Sequence, residues 1–266
     1  SDPVWFRTSR NVPVSVKSPD EEVINTAQRN YIRSYLNDYE SHLFSSDFRD
    51  PATGYRAITD SATLISWYIA SELTANPDGL WSTYVYKNQD DPLLYWGPLW
   101  DFDIAFNNCD RIGDVTYSFM TDAGFGNTHA GMWVRRMTND PWFNWAVNKG
   151  WKRFVDEGIE ERLLAVTDSL AALLDESQAL NYQKYSISQH VYNEINLFST
   201  YQEYIDNLKT WISDHIWFLN YGFNSRVSGQ EEPLDPFRPV EGWYYRITNR
   251  GTGLTVDVDG TNVSVR

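Results

Sequence analysis

The apolar residues between about 130 and 221 recur at helical spacing, and this pattern constrains the fold more than any other feature of the sequence. Four segments carry Leu, Ile, Val, Trp or Phe every three or four residues: Met132 to Met137, Trp142 to Val155, Ile159 to Leu174 and Tyr201 to Asn220. An apolar stripe of this period buries one face of a helix. The sequence therefore predicts a helical body in which these segments pack on a shared core.

Two more helices are predicted upstream of this body. Ser18-Pro19-Asp20-Glu21-Glu22 offers an N-cap, a proline at the first helical position and acidic residues in the first turn of a helix that reaches about Phe44. A second helix is predicted from Asp60 to Leu73, where apolar residues come almost without gaps. Residues 4 to 17 alternate apolar and polar side chains around Pro13, as in an edge strand.

A β-hairpin is predicted between this second helix and the helical body. Two strand-like runs, Trp81 to Lys87 and Leu93 to Leu99, are separated by Asn88-Gln89-Asp90-Asp91-Pro92. Asp78 precedes the first run and Asp101 follows the second. Antiparallel pairing therefore brings these two carboxylates together, although 23 residues separate them in sequence.

The segment Gly97-Pro98-Leu99-Trp100-Asp101-Phe102-Asp103 is a candidate metal site. Asp101 and Asp103 are two residues apart, so in an extended segment both project to one face while Phe102 points to the other. Two oxygen ligands on one face suit a hard divalent ion such as Mg²⁺. The alternative is that Asp101 caps a strand end and Asp103 lies in a solvated turn, which are usual positions for aspartate.

The charge and composition of the chain argue against several classes of function. A formal net charge of −14 disfavours a basic nucleic-acid-binding surface, so we expect no nucleic-acid partner. The sequence has no apolar run of about 18 residues, so we expect no membrane span. The single cysteine, Cys109, excludes an internal disulfide framework and a zinc–thiolate cluster. The 12 Trp, 17 Tyr and 13 Phe residues are enough to leave some rings for stacking on a ligand.

The composition changes near the C-terminus. Residues 1 to 224 are predicted to form one unit, residues 225 to 240 a polar, proline-containing linker, and residues 241 to 266 a short β segment. The tail from Trp243 to Val258 resembles the first strands of a ricin-type carbohydrate-binding trefoil, although it lacks the Gln-x-Trp signature. The alternative is a β-hairpin that closes the helical body. From the sequences at Ser1 and Arg266, we expect the chain to be an excised fragment.

Three blocks of sequence, in a fixed order, resemble the CotH family of spore-coat-type atypical protein kinases. They are Ile69-Ala70-Ser71-Glu72-Leu73-Thr74-Ala75-Asn76-Pro77-Asp78, Ser82-Thr83-Tyr84-Val85-Tyr86-Lys87 and Gly97-Pro98-Leu99-Trp100-Asp101-Phe102-Asp103-Ile104-Ala105-Phe106. The similarity covers roughly residues 5 to 222. It implies a kinase-like fold that binds ATP and Mg²⁺ between two lobes and transfers phosphate to Ser or Thr of a protein substrate.

The resemblance also implies roles for individual residues. Asp101 matches the magnesium-binding aspartate of the family, Asp78 matches the catalytic-loop aspartate, and Asp103 is a second metal ligand or a support for the loop. Lys87 is the nearest cation in sequence between these acids and is the candidate ATP contact; the alternative is an ordinary strand charge. Thr83 departs from the pattern, because many members carry a potential metal-binding Asn there. The basic residues that grip ATP phosphates in the family lie mostly in an N-terminal lobe that we expect to precede this chain.

The sequence therefore predicts an α+β fold: a mostly helical, kinase-like C-terminal lobe with a β-hairpin that carries the acidic site, and a small β tail. The leading functional hypothesis is part of a bacterial, secreted or cell-surface atypical Ser/Thr protein kinase, catalytically incomplete as a fragment. A second hypothesis is a non-catalytic module that binds polysaccharide or cell-surface material through exposed aromatic side chains. A third is a structural domain stabilised by calcium.

Overall fold

The computed structural model describes residues 4–79, 81–123, 131–190 and 192–233, together with the backbone of two strands at 256–259 and 262–265. Ser1–Pro233 forms one compact unit and Leu234–Arg266 a second. The described residues form eight α-helices and three two-stranded antiparallel sheets. The predicted α+β, mostly helical fold class is confirmed.

The helices are α1 (Thr26–Leu43), α2 (Ser61–Thr74), α3 (Met120–Ala123), α4 (Met132–Met137), α5 (Pro141–Asp156), α6 (Ile159–Leu173), α7 (Asp175–Lys184) and α8 (Tyr201–Val227). The strands are β1 (Trp5–Arg7), β2 (Pro13–Ser15), β3 (Val85–Tyr86), β4 (Tyr95–Trp96), β5 (Val256–Asp259) and β6 (Asn262–Val265). Short 3₁₀ turns lie at Tyr55–Ile58 and Asp110–Ile112.

Helix α1 begins at Thr26, so the N-cap predicted at Ser18 is wrong. The Asn25 side chain accepts a hydrogen bond from the Gln28 amide, and the Gln28 side chain accepts one from the Asn25 amide, which completes a capping box. Further upstream, the Asp20 carbonyl accepts hydrogen bonds from the amides of residues 23 and 24 and closes a separate turn. The reciprocal cap at Asn25 satisfies two backbone donors and sets the start of the helix.

Residues 4 to 17 form a hairpin rather than a single edge strand. β1 pairs antiparallel with β2, with Phe6 opposite Val14. The connection contains Asn11 at φ 68°, a left-handed conformation that asparagine tolerates. The buried carboxylate of Glu40 fixes the hairpin to the body, because it accepts hydrogen bonds from the Thr8 and Ser9 hydroxyls, the Arg10 amide and the Trp133 indole.

The core is built largely from aromatic side chains of α2, α5 and α8. The buried Tyr68 ring lies 5.0 Å from that of Phe143, and the Trp151 ring lies 5.6 Å from that of Phe223. Helices α2 and α5 approach closely at Gly150, where a Cβ atom would lie 2.7 Å from Ile69 Cδ1. The four helical segments predicted between 130 and 221 are present, but α6 differs from the others because none of its residues is fully buried.

The last described helix extends into the segment predicted to be a linker. Helix α8 continues to Val227, beyond the predicted linker start at residue 225. Within the second unit, β5 pairs antiparallel with β6, with Val256 opposite Val265. Trp243, on which the trefoil resemblance depends, lies outside the described residues. Across the part of the chain that the structure describes, no helix combines the length and apolarity needed to cross a membrane.

Candidate functional site

Asp78, Asp101 and Asp103 line one open cleft of about 370 Å³ in the first unit. The other described residues of its lining are Ile104, Asn108, Arg111, Tyr192 and Glu194. The three acids that the sequence singled out are therefore brought to one place. Arg111 and the Tyr192 segment were not predicted to belong to the site.

The β3–β4 hairpin brings the acidic segments together. Val85 pairs with Trp96 and Tyr86 with Tyr95, and the Gly97 amide donates to the Tyr84 carbonyl at 2.9 Å. The predicted hairpin is confirmed, although its regular pairing spans two residues in each strand. Before β3, the amides of residues 81 and 82 both donate to the Asp78 carbonyl, which turns the chain into the hairpin.

A buried amide side chain joins the two acidic segments directly. Asn76 is 1% exposed and lies in the turn after α2. Its side-chain oxygen accepts a hydrogen bond from the Asp78 amide at 3.1 Å, and its side-chain nitrogen donates to the Asp101 carbonyl at 3.1 Å. Both functions of one amide group are satisfied, so Asn76 fixes the spacing of the Asp78 and Asp101 backbones. This role of Asn76 was not predicted from the sequence.

Asp101 and Asp103 are close to each other, but not for the reason expected from the sequence. Asp101 has φ 61°, so the segment is not extended at this residue and the simple alternation of faces does not apply. The charge of Asp103 nevertheless raises the pKa of Asp101, with smaller contributions from desolvation, a hydrogen bond to Asp103 and the charge of Asp78. The largest cause of this shift is the neighbouring carboxylate, and a bound cation would offset repulsion of that kind.

These carboxylates fit a magnesium ion as a two-ligand site. Among the residues that the structure describes, no group of three or more His, Cys, Asp or Glu side chains is arranged to hold a metal. Mg²⁺ commonly binds one or two carboxylates and completes its coordination with water and substrate phosphates. Asp101 and Asp103 would supply the two carboxylates of such a site, whereas the described residues do not form an all-protein cage.

Arg111 also lines the cleft, where it pairs with one of the acids. Its guanidinium forms an ion pair with Asp78 and donates a hydrogen bond to the Tyr192 hydroxyl at 2.5 Å. The pKa of the Arg111 guanidinium is raised, mainly by its hydrogen bond to Tyr192, so the guanidinium stays positively charged. No local motif marks Arg111 or Tyr192. They meet because the Asp110 amide donates to the Asn193 carbonyl at 2.8 Å, which fixes one loop on the other.

Lys87 lies away from the described lining of the cleft. Its ammonium group is 5.5 Å from the ring centroids of both Tyr31 and Tyr35 on α1, and it donates to the Asn88 carbonyl at 3.0 Å. The structure thus places Lys87 against the first helix. A direct contact between Lys87 and ATP stays a prediction.

Thr83 stands at the position where the family resemblance would favour Asn. Its hydroxyl donates a hydrogen bond to the Gly79 carbonyl. The side chain therefore closes the turn that follows Asp78, and it is not among the described residues of the cleft lining. This contact gives Thr83 a local structural role.

Comparison with models of protein families matches residues 6–219 to the family described as CotH kinase protein. The searches of curated proteins and of solved structures found no match. The matched range contains every described residue of the cleft lining, from Asp78 to Glu194, and covers most of the chain. The resemblance seen in the three sequence blocks is thereby confirmed. This chain belongs to the CotH kinase protein family.

Proposed function

We propose that this protein is an atypical protein kinase whose cleft binds Mg²⁺ with ATP and directs the γ-phosphate to a Ser or Thr hydroxyl of a protein substrate. The observation that carries the proposal is that Asp78, Asp101 and Asp103 line one cleft and flank the two ends of one hairpin. Membership of a kinase family supports the reaction type.

The three acids have two different roles in the proposed reaction. Asp101 and Asp103 would hold Mg²⁺, which would supply positive charge beside the transferring phosphate. Asp78 accepts a hydrogen bond from the substrate hydroxyl and orients it for transfer. Asn76 keeps these groups in register, because it bonds to the backbone of both segments. The openness of the cleft to solvent leaves access for a polypeptide.

The experiment measures nucleotide binding and phosphotransfer separately. In calorimetry, we expect the full-length wild-type protein to bind ATP only with Mg²⁺ present, and Asp101→Asn and Asp103→Asn to weaken that binding. In transfer of labelled γ-phosphate to a panel of protein substrates, Asp78→Asn is expected to lower the rate by about 10²–10⁴-fold while binding persists. Asp90→Asn is the matched control, since Asp90 is exposed in the hairpin connection and Asn tolerates its φ of 61°.

Two results would contradict the proposal. One is the absence of Mg²⁺-dependent ATP binding in the wild-type protein. The other is phosphotransfer that is unchanged by both Asp78→Asn and Asp101→Asn. Either result would leave the acidic cleft as a feature of a kinase-like scaffold without the reaction.

Exposed aromatic side chains near the cleft support a second candidate function, binding of polysaccharide. Trp81 and Trp100 are each 56% exposed and lie in the segments that follow Asp78 and precede Asp101. Flat aromatic surfaces of this kind stack on sugar rings. Binding to an array of polysaccharides that is lost in Trp81→Ala and Trp100→Ala would favour this function, and no binding to any glycan would exclude it.

A further inference from the structure

We propose that Arg111 changes partners during nucleotide binding: it leaves Asp78 for the phosphate groups and so frees Asp78 to receive the substrate hydroxyl. This inference rests on the proposed function, since it takes polyphosphate as the ligand of the cleft. It adds a residue that neither the sequence blocks nor the family match assigns to the site. It also links arrival of the nucleotide to the availability of Asp78.

The ion pair between Arg111 and Asp78 lies where the reaction is proposed to occur. Their side chains are 37% and 20% exposed, so the pair lies at the mouth of the cleft and is not sealed in the core. One nitrogen of the guanidinium bonds to Asp78 Oδ1 and another donates to Tyr192 Oη. A guanidinium bound to Oδ1 competes with a substrate hydroxyl for that oxygen, while Oδ2 keeps its acceptor sites. In this arrangement Arg111 therefore occupies one of the two Asp78 carboxylate oxygens.

The charges of the cleft explain why phosphate can displace Asp78. Among the described lining residues, four carboxylates and one guanidinium leave a formal net charge of −3. A polyphosphate enters such a cleft only with divalent cations, which reverse the local balance. Once it has entered, its several oxygens offer a guanidinium more acceptor sites than one carboxylate, and arginine binds phosphate with paired hydrogen bonds.

Tyr192 keeps its position while Arg111 changes partners. Its own amide donates to both carboxylate oxygens of Glu194, at 2.9 and 3.0 Å. Glu194 also pairs with His190 Nδ1 at 2.7 Å, and the adjacent Asn193 carbonyl accepts the Asp110 amide. The Tyr192 hydroxyl that accepts the Arg111 hydrogen bond thus belongs to a loop that several hydrogen bonds hold in place. Arg111 can exchange Asp78 for phosphate while its contact with Tyr192 keeps it at the cleft.

The test uses Mg²⁺ with inorganic pyrophosphate as the probe, measured by calorimetry on the full chain. Arg111→Gln is expected to weaken pyrophosphate binding by about ten- to a hundredfold, because charge-assisted hydrogen bonds are lost. Arg111→Lys keeps the positive charge but lacks the planar guanidinium with its paired donors. Its affinity for pyrophosphate is therefore expected to lie between those of the wild-type protein and Arg111→Gln. Thermal melts of each variant establish that it is folded, and Asp90→Asn serves again as the control.

A double-mutant cycle separates partner exchange from simple phosphate contact. Asp78→Asn removes the competing carboxylate, so it is expected to tighten pyrophosphate binding more in the wild-type background than in Arg111→Gln. An equal gain in both backgrounds would reflect only the lost negative charge and would overturn the exchange. Unchanged binding in Arg111→Gln, or no binding of Mg²⁺–pyrophosphate by the wild-type protein, would overturn the inference as well.

The same variants distinguish failure of the inference from failure of the proposed kinase activity. Phosphotransfer by Arg111→Gln with an unchanged KM for Mg²⁺–ATP would overturn the inference and leave the proposed function intact. If the double-mutant cycle of pyrophosphate affinities comes out as expected but no phosphotransfer occurs, the exchange by Arg111 is supported and the proposed reaction is contradicted.

Discussion

At the scale of single residues, Asn76 is the side chain on which the geometry of the site most depends. Its amide is the one described side-chain link that bonds both to the Asp78 amide and to the Asp101 carbonyl. It is also buried, so water cannot replace its hydrogen bonds if the side chain is lost. The position of two carboxylates thus depends on a group that carries no charge and performs no chemistry.

We therefore expect Asn76→Ala to act on both stability and turnover. Loss of two buried hydrogen bonds should lower the free energy of unfolding by about 1–3 kcal/mol, measured by urea denaturation. Phosphotransfer at saturating Mg²⁺–ATP should fall about tenfold or more, because the acids lose their relative position. Asn88→Ala, at an exposed residue of the hairpin connection, should change neither quantity. A stability loss with unchanged turnover would contradict the positioning role.

The Asp101–Asp103 pair should destabilise the protein when no metal is bound. Asp103 raises the pKa of Asp101 above 3.8, so the ionised form of Asp101 is disfavoured in the folded state. The resulting repulsion is present at pH 7, and it is relieved as the pH falls through the raised pKa. Removing one charge of the pair removes this cost, and it also removes a proposed metal ligand.

We accordingly expect Asp103→Asn to raise the melting temperature of the metal-free protein by about 1 °C at pH 7, a small effect because the site is exposed. The difference should shrink as the pH falls toward 3.8 and vanish well below it, where Asp101 is protonated in both folded and unfolded chains. Stabilisation by added Mg²⁺ should shrink in the same variant. A lower melting temperature for metal-free Asp103→Asn at pH 7 would show that repulsion does not dominate there.

The sequence could place some of these residues and not others. Asp78 and Asp101 are adjacent because they flank a hairpin, and a hairpin is a local structure with a local signal. Arg111 reaches Asp78 through a loop-to-loop contact with the Tyr192 segment, which has no periodic pattern to indicate it. Lys87 illustrates the opposite case, since strand alternation gives two faces but does not tell which one meets α1.

At the scale of elements, the buried residue Glu72 joins α2 to α3 through its side chain and to α8 through its backbone carbonyl. Its carboxylate accepts hydrogen bonds from the Met120 amide at 2.8 Å and from the Thr121 amide and hydroxyl. Its backbone carbonyl lies 2.7 Å from Nε2 of His215, which is buried in α8. Helix α2 also leads directly into the turn that carries Asn76 and Asp78. The packing of these helices therefore supports one side of the cleft.

Glu72→Ala should be among the more destabilising single changes in this protein. It leaves three donors at the start of α3 without their acceptor inside the core, and we expect a loss of about 3 kcal/mol or more in the free energy of unfolding. Glu72→Gln retains one acceptor oxygen and should cost less. Glu176→Ala, at an exposed glutamate of α7, should stay within about 0.5 kcal/mol of wild type in the same urea titration. Equal losses for Glu72→Ala and Glu176→Ala would be inconsistent with this account.

Helical periodicity predicted well which segments are helices. It predicted less well where each helix begins and which part of the protein its apolar face packs against. Helices α2 and α5 have strong N-caps at Asp60 and Asp140 and agree with the expected boundaries. The start of α1 was misjudged because two capping signals lie close together and only the contacts decide between them. The apolar residues of α6 recur at helical spacing and predict a buried face, yet Leu170 and Leu173 are 50% and 75% exposed. The spacing predicts that a helix has an apolar face but not which element packs against it.

At the scale of the whole molecule, net charge favours one class of protein substrate. The chain carries 36 acidic and 22 basic residues, and the described lining of the cleft repeats this imbalance. A long-range negative potential attracts positively charged partners and repels acidic ones, and salt screens it over about 10 Å. Basic residues around the acceptor hydroxyl should therefore speed the encounter with this surface.

We expect phosphotransfer to favour peptides with Lys or Arg near the acceptor serine over peptides of the same length with Asp or Glu there. For the basic peptide, kcat/KM should fall by about tenfold as salt rises from about 50 to 300 mM, mainly through KM. A peptide with uncharged flanks provides the control and should change little over the same range. Preference for the acidic peptide, or an equal salt response of all three, would show that local contacts outweigh the overall charge of the protein in selecting the substrate.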